Sequence, residues 1–240
     1  MSNKANKSER SSREENIAFF DEFARDYNSV LEQNNSVKII RKKIAQKFCD
    51  SVKSGLVLDF GGGTGLDLPW LTENGFKVFF CEPSSGMRQQ AINYNNNILH
   101  SNDIVFLEDA KTDFSLWNKE LPFPQKVDAI LSNFVVINNI QNIALLFKNL
   151  ALISKPHAHL FALILDGRFR KTIRNHPLST ILSLIFQRPA AFQDKSRGVR
   201  RTVYIYSTRE IKRASRDYFN FYNQEFFSES NFALIHLIRK

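Results

Sequence analysis

Cysteine is nearly missing from this chain. Cys49 and Cys81 are the two among 240 residues, and both stand in apolar surroundings. That excludes a small disulfide-stapled module and suits buried thiols in a reducing compartment, so a cytoplasmic location is expected. No Cys/His spacing of a metal site occurs, and no metal is expected. The first fifteen residues are polar and charged without an apolar centre, so no secretory leader is expected. Residues 1–14 read as a disordered tail. No apolar run reaches the roughly 20 residues that span a bilayer, and no internal repeat is present. What remains has room for one domain with a full core, over 15–240. Its 22 phenylalanines predict a core built on large side chains.

Glycine is also scarce, yet it is concentrated. Residues 57–65 read Val-Leu-Asp-Phe-Gly-Gly-Gly-Thr-Gly. An apolar strand ends at Asp59, glycines follow at Gly61, Gly63 and Gly65, and a helical pattern opens at Leu66. Glycine suits a tight strand-to-helix turn because it tolerates positive φ and lets a ligand lie against bare backbone. Such turns bind nucleotide-like ligands at the carboxyl end of a parallel strand. The dinucleotide fingerprint G-x-G-x-x-G fails at its third position, which falls on Leu66. Acidic-x-G-x-G-x-G is filled completely by Asp59, Gly61, Gly63 and Gly65. A carboxylate here opposes a pyrophosphate and favours a ligand carrying an amine and a sulfonium.

At these residues the chain resembles the class I S-adenosylmethionine-dependent methyltransferases. A second strand, 77–81, ends at Glu82, where an acid can accept from two vicinal ribose hydroxyls. Glu82-Pro83-Ser84-Ser85-Gly86-Met87 is similar to the family's acid-x-Ser-x-x-Met segment. A third strand, about 104–107, leads into Asp109-Ala110, which the resemblance places at the adenine edge. A fourth strand, about 127–133, ends in Ser132-Asn133-Phe134. A helix over about 140–152, a turn at Lys155-Pro156 and a fifth strand over 159–165 complete the order of elements. The family's Pro-Gly-Gly is here Pro156-His157-Ala158. The resemblance implies a Rossmann-like α/β fold, a seven-stranded sheet in the order 3-2-1-4-5-7-6 with helices on both faces. A lid insertion over about 167–206 follows strand five.

The N-terminal Phe20-x-x-Phe23-Ala24-x-x-Tyr27 lies in a helical pattern and resembles an element that covers the cofactor in small-molecule and quinone methyltransferases. Tyr27 is then a contact to the methionine end or a core tyrosine. The expected cofactor is S-adenosyl-L-methionine. Its contacts are Asp59, Gly61, Gly63, Gly65, Glu82, Pro83, Met87, Asp109, Ala110, Asn133 and Tyr27. Asn138 and Arg168 are candidate substrate contacts. His157, His159 and His176 are bases by chemistry alone, so no catalytic base is named.

Charge is uneven. Residues 168–216 hold thirteen Lys or Arg and two acids, a net of +11, whereas the rest of the chain sums to −2. Within this segment 178–186 is strongly apolar. Four readings stay open: a lid helix with solvated charges, an interfacial helix at an anionic membrane, a groove for nucleic acid, and a clamp on an anionic substrate. Absent motifs narrow the substrate. No Pro-Pro-aromatic follows strand four, and no Pro-Cys occurs, which argues against the corresponding DNA methyltransferases. The leading expectation is methyl transfer to a small-molecule or lipid-like acceptor, anionic or hydrophobic. The alternatives are an RNA methyltransferase and a non-catalytic cofactor-binding or membrane-associated module.

Overall fold

A computed structural model describes residues 2–97, 103–165, 190–196, 198–227 and 230–240. Neither glycine nor proline occurs before Gly55, and two long helices fill that stretch: α1 (Ser2–Glu32) and α2 (Asn35–Ser51). The break between them falls at Asn34, whose side chain accepts from the Val37 N–H and caps α2. Helix α1 corrects the disordered tail expected over 1–14. No Gly or Pro interrupts it, and Ser12 and Arg13 find partners on the body of the domain.

The chain then alternates strand and helix. The strands are β1 (Leu56–Phe60), β2 (Lys77–Cys81), β3 (Ile104–Phe106), β4 (Val127–Ser132) and β5 (Ser154–Leu165). Helices α3 (Leu68–Glu73), α4 (Ser85–Tyr94) and α5 (Ile143–Ile153) lie between them. A hairpin of β6 (Ala190–Ser196) and β7 (Val199–Ile205) follows, then α6 (Thr208–Ser215), β8 (Phe219–Phe226) and β9 (Phe232–Arg239). The seven-stranded sheet has the order β3-β2-β1-β4-β5-β9-β8. With the separate β6–β7 hairpin set aside, this is the expected 3-2-1-4-5-7-6. Strands β1 to β5 pair in parallel, and β9 enters antiparallel to both β5 and β8.

Three local readings change. The expected Lys155-Pro156 turn is part of β5, where the pairing with β4 shifts register between Val127 and Ala129 and His157 takes φ 65°. Lys155 is held there by Asp128 at 2.7 Å. The β6–β7 hairpin was hidden by the charge of its segment, although Val199, Thr202, Val203 and Ile205 carry β-branched side chains. Cys49 is half-buried rather than buried, whereas Cys81 is buried as expected.

Apolar side chains cover both faces of the sheet. On one, Phe48 meets Trp70, Phe76 and Phe161 at centroid distances of 5.4–5.5 Å. On the other, Phe60 meets Phe114 and Trp117, and Phe147 meets Phe219. Each buried ring contributes about 1.5–3 kcal/mol through removal from water. The result is a rigid platform whose β1 and β4 carboxyl ends open into one cleft. Among the described residues no helix is long and apolar enough to cross a membrane.

Candidate active site

The cleft lies at the carboxyl ends of β1, β2 and β4 under α1 and is open to solvent. Its floor is the glycine turn. Gly61 and Gly63 take φ of 74° and 58°, in the left-handed region. A Cβ on Gly61 would stand 2.5 Å from Val136, so close packing as well as φ demands glycine there. A Cβ on Gly63 would point into open space, with Tyr27 3.9 Å away across the cleft. Gly61 and Gly63 therefore present bare backbone in the cleft wall. Gly65 belongs to the same turn but does not line the cleft. It lets the turn pack against Leu68, Ala91 and Asn95.

Glu82 stands at the end of β2 and lines the cleft. Its Oε2 accepts from the Gly63 N–H at 3.0 Å and its Oε1 from the Ser84 N–H at 2.8 Å. Burial nevertheless raises its pKa to about 7, against the lowering by those two bonds and by Arg88. Each carboxylate oxygen keeps a lone pair for a further donor. Pro83 and Met87 line the same wall, and Ser84 caps α4.

Asp59 is buried and does not line the cleft; a Cβ on Gly62 would stand 2.6 Å from its Oδ2. Both carboxylate oxygens lack a hydrogen-bond partner among the described residues. Its pKa is driven well up, first by desolvation and then by Asp67, with Arg41 opposing. A carboxylate left unsatisfied beneath the turn fits a site that receives a cationic ligand.

Asn133 and Tyr27 also line the cleft. The Tyr27 hydroxyl is pushed above its usual value by desolvation. Asn133 donates Nδ2–H to Asp67 at 3.0 Å and accepts from the Phe134 N–H at 3.1 Å.

Other expected residues are not brought here. Asp109 is exposed and tied to Arg88, and neither it nor Ala110 lines the cleft; Thr112 does. Arg88 also donates to the Glu82 carbonyl, so it braces the ends of β2 and the Asp109 turn together. Asn138 is corrected as a substrate contact. It is fully buried, donates to the Tyr204 carbonyl at 2.7 Å and accepts from the Leu165 N–H at 3.0 Å. Its polar groups are taken up in fastening β5 to β7. His157 and His159 do not line the cleft either. Arg168, His176 and the apolar segment 178–186 lie outside the described residues.

The other end of the cleft comes mostly from residues outside these motifs, with Phe20 of the N-terminal element among them. Helix α1 contributes Ser12, Arg13, Asn16, Ile17 and Phe20, and the turn after β4 contributes Asn139, Ile140 and Gln141. Asn16 is buried and donates to the carbonyls of Asn139 and Thr202, both at 3.1 Å, while accepting from the Thr202 N–H at 2.8 Å. It ties α1, the turn and β7 into one roof. Arg13 pairs with Asp113 at 3.0 Å, and Arg201 of β7 lies over the Phe19 ring. The signal for Asn16 and Asn28 was a polar residue on the buried stripe of an amphipathic helix. Asn28 Oδ1 accepts a hydrogen bond from the Thr64 hydroxyl and so joins α1 to the glycine turn. Asn139 donates Nδ2–H to the Val135 carbonyl at 3.1 Å, which fixes its amide and leaves Oδ1 buried without a partner among the described residues.

Comparison with known proteins extends this picture. Residues 31–225 match the model of a family described as a methyltransferase domain. No curated protein matches the sequence. Among solved structures, the fold is similar to that of 1,6-didemethyltoxoflavin-N1-methyltransferase from Burkholderia thailandensis, solved with bound 1,6-didemethyltoxoflavin and S-adenosylhomocysteine. The TM-score is 0.68 at 11% identity, over 96% of this chain and 90% of that one. It is also similar to a putative S-adenosylmethionine-dependent methyltransferase from Listeria monocytogenes, at TM-score 0.63 and 15% identity, over 83% and 97% of the two chains. Magnesium protoporphyrin IX methyltransferase from Synechocystis PCC 6803, solved with S-adenosylhomocysteine, aligns at TM-score 0.57 and 17% identity, over 85% and 82%.

Proposed function

The chain belongs to the class I S-adenosylmethionine-dependent methyltransferase family, and on that premise we propose that it methylates a small-molecule acceptor that is largely apolar, lipid-like or anionic in part. The observation that carries the acceptor class is the far end of the cleft. Ile17, Phe20, Phe114 and Ile140 make an apolar chamber roofed by α1 and continuous with the glycine turn. A sparse polar set, Arg13, Asn139 and Gln141, stands around it. Apolar walls with a few placed polar groups are the usual make-up of a small-molecule site. The Burkholderia neighbour, which holds the small molecule 1,6-didemethyltoxoflavin beside S-adenosylhomocysteine, supports the same reading.

The bound cofactor supplies a methyl group already activated on a sulfonium. This chain's residues bind, orient and exclude water. Glu82, held by the Gly63 and Ser84 N–H groups, offers its free lone pairs to ribose hydroxyls. Gly61 and Gly63 let the ligand reach bare backbone. Asp59 lies buried beneath the turn with no partner for its oxygens among the described residues, and positive charge above the turn would favour its ionised form. At the other end Asn139 Oδ1 accepts from an N–H or O–H of the acceptor, which turns that group within the chamber. Alignment of two bound reactants alone can be worth about 7–11 kcal/mol.

The test has two steps. Calorimetric titration with S-adenosylmethionine establishes cofactor binding. A methyl-donor assay then screens aromatic heterocycles, aryl carboxylates and isoprenoid quinols beside total RNA. Turnover of a small acceptor supports the proposal. Methylation of RNA alone, falling steeply with salt, overturns it.

A further inference from the structure

Arg41 projects from α2 and takes no place in the cleft wall, yet it sits at the centre of the buried polar groups behind it. Its Nη1 lies 2.7 Å from Asp67 Oδ2, and both side chains are largely buried. The same Asp67 oxygen accepts from Asn133 Nδ2, while Oδ1 accepts from the Trp70 indole N–H at 2.9 Å. The Arg41 guanidinium also lies over the Phe134 ring, 4.5 Å from its centroid. Phe134 and Val135 both have positive φ, 52° and 74°, which is unusual for any side chain and most unusual for a β-branched one. Their backbone is held by Asn133 Oδ1 at the Phe134 N–H and by the Leu163 carbonyl at the Val135 N–H. The next residue, Val136, fills the space that a side chain on Gly61 would need. The turn after β4 is therefore a strained segment clamped from behind and pressed against the cofactor floor in front.

We propose that Arg41 is a positioning residue for the cofactor site: through Asp67 and Phe134 it fixes the Asn133–Val136 turn against Gly61, and so sets the affinity of the glycine floor for S-adenosylmethionine. Two features of arginine are needed. Its charge neutralises Asp67 beside the unsatisfied Asp59 carboxylate, and its planar face lies on Phe134. Lysine reproduces the first and not the second. The inference rests on the cofactor reading above. Asn133 then receives its orientation from Arg41 and Asp67, not from the ligand.

The experiment uses the full chain and S-adenosylmethionine itself as probe. Arg41→Met, Arg41→Lys and Phe134→Leu are purified, their melting temperatures recorded, and their dissociation constants measured by calorimetry below those temperatures. Expected is a loss of affinity of about tenfold or more in Arg41→Met, as follows when one partner of a buried charge pair is removed. Arg41→Lys weakens binding by about threefold; Phe134 also lines the cleft, so Phe134→Leu weakens it by at least as much, and the double variant Arg41→Lys/Phe134→Leu loses no more than Phe134→Leu alone, because the stacking contact is already gone. Lowered melting temperatures with unchanged affinity would overturn the proposal, as would additive losses in the double variant. Should Arg41→Met fail to fold, the lysine and leucine variants decide alone. Absence of binding by the unaltered protein would instead strike the cofactor reading, so the two failures are distinguishable.

Discussion

The two ends of the cleft are built on different plans. At the cofactor end, the floor and wall come from short contiguous runs, 59–65 and 82–87, set at the ends of neighbouring parallel strands. Glu82 there is fastened to the backbone N–H groups of Gly63 and Ser84. At the acceptor end, the chamber is assembled from residues 12–20, 114 and 139–141, with β7 bracing its roof. What joins them is a set of asparagines. A site that must hold one invariant ligand can be rigid and local, whereas a site that chooses an acceptor is assembled from separate elements, so its shape can change without disturbing the floor.

The sharpest way to break this comparison is at adjacent glycines. A Cβ on Gly62 would stand 2.2 Å from the Phe80 ring and 2.6 Å from Asp59. Gly62→Ala is expected to cost about 3 kcal/mol by overpacking, visible in urea unfolding. Gly63→Ala meets nothing nearer than Tyr27 at 3.9 Å. It should lose only about 1–2 kcal/mol, from the left-handed backbone, while cofactor affinity falls on the order of a hundredfold because the new methyl stands where the ligand must. Equal loss of stability in both variants would refute the division into a packed glycine and a ligand-facing one.

Next in size is Glu82. Glu82→Gln removes a charged acceptor and should weaken S-adenosylmethionine binding by about 1.5–3 kcal/mol. The pH dependence has a definite sign. The folded chain holds the Glu82 proton up to about pH 7, against 4.5 for a free glutamate. Keeping the ionised carboxylate buried costs stability, so this group's contribution falls as pH rises from 4.5 to 7. Ribose hydroxyls donate to the ionised form, so cofactor affinity should climb as pH rises towards 7, level off above it, and release a proton on binding in between. Titrations at pH 6.5 in buffers of different ionisation enthalpy measure that proton. Identical heats in all buffers would contradict the assignment.

The roof gives a smaller effect. Asn16→Ala deletes three hydrogen bonds among α1, the 137–139 turn and β7. About 1–2 kcal/mol of local stability should go, seen as faster amide exchange over 199–205, with cofactor affinity within a factor of about two. A large loss of cofactor affinity would mean that the two ends are not separable.

This division also governs what could be read from sequence. Asp59, the glycines, Glu82, Pro83 and Met87 are local in the chain, and the sheet order follows from alternation of strand and helix together with the family pattern. Asn138 misled because an asparagine just past β4 has the chemistry of a substrate contact, and nothing local shows that Leu165 and Tyr204 will occupy it. Asp109 is paired with Arg88 and stands outside the cleft lining, a placement that depends on how α4 packs. Asn16 carried only a faint signal, a polar residue on an otherwise apolar helix face. The β6–β7 hairpin was masked by its arginines, which dominate the charge of the segment while its β-branched residues make the ladder. Pairings of this kind, between residues far apart in the chain, are absent from any one-dimensional pattern.

A third place, away from both ends of the cleft, provides the control. His159 on β5 and His236 on β9 share a hydrogen bond of 2.8 Å between Nδ1 and Nε2 and stack on the sheet beside Phe161 and Tyr222. Desolvation lowers both pKa values, that of His236 to about 4, with His159 adding to it. One ring donates and the other accepts, and desolvation keeps the pair neutral at neutral pH. The sign is opposite to that at Glu82. Stability is fully present above pH 6.5, where an unfolded histidine is also neutral, and is lost as pH falls towards 4 because the unfolded chain takes up the protons. Solvent reaches part of the pair, so about 1 kcal/mol is expected. His236→Phe keeps the stacking and should flatten this acid limb in urea titrations between pH 7 and 4.5, while leaving the pH dependence of cofactor affinity intact. If it flattened the affinity curve as well, the rise towards pH 7 would report general loosening of the sheet and not ionisation of Glu82.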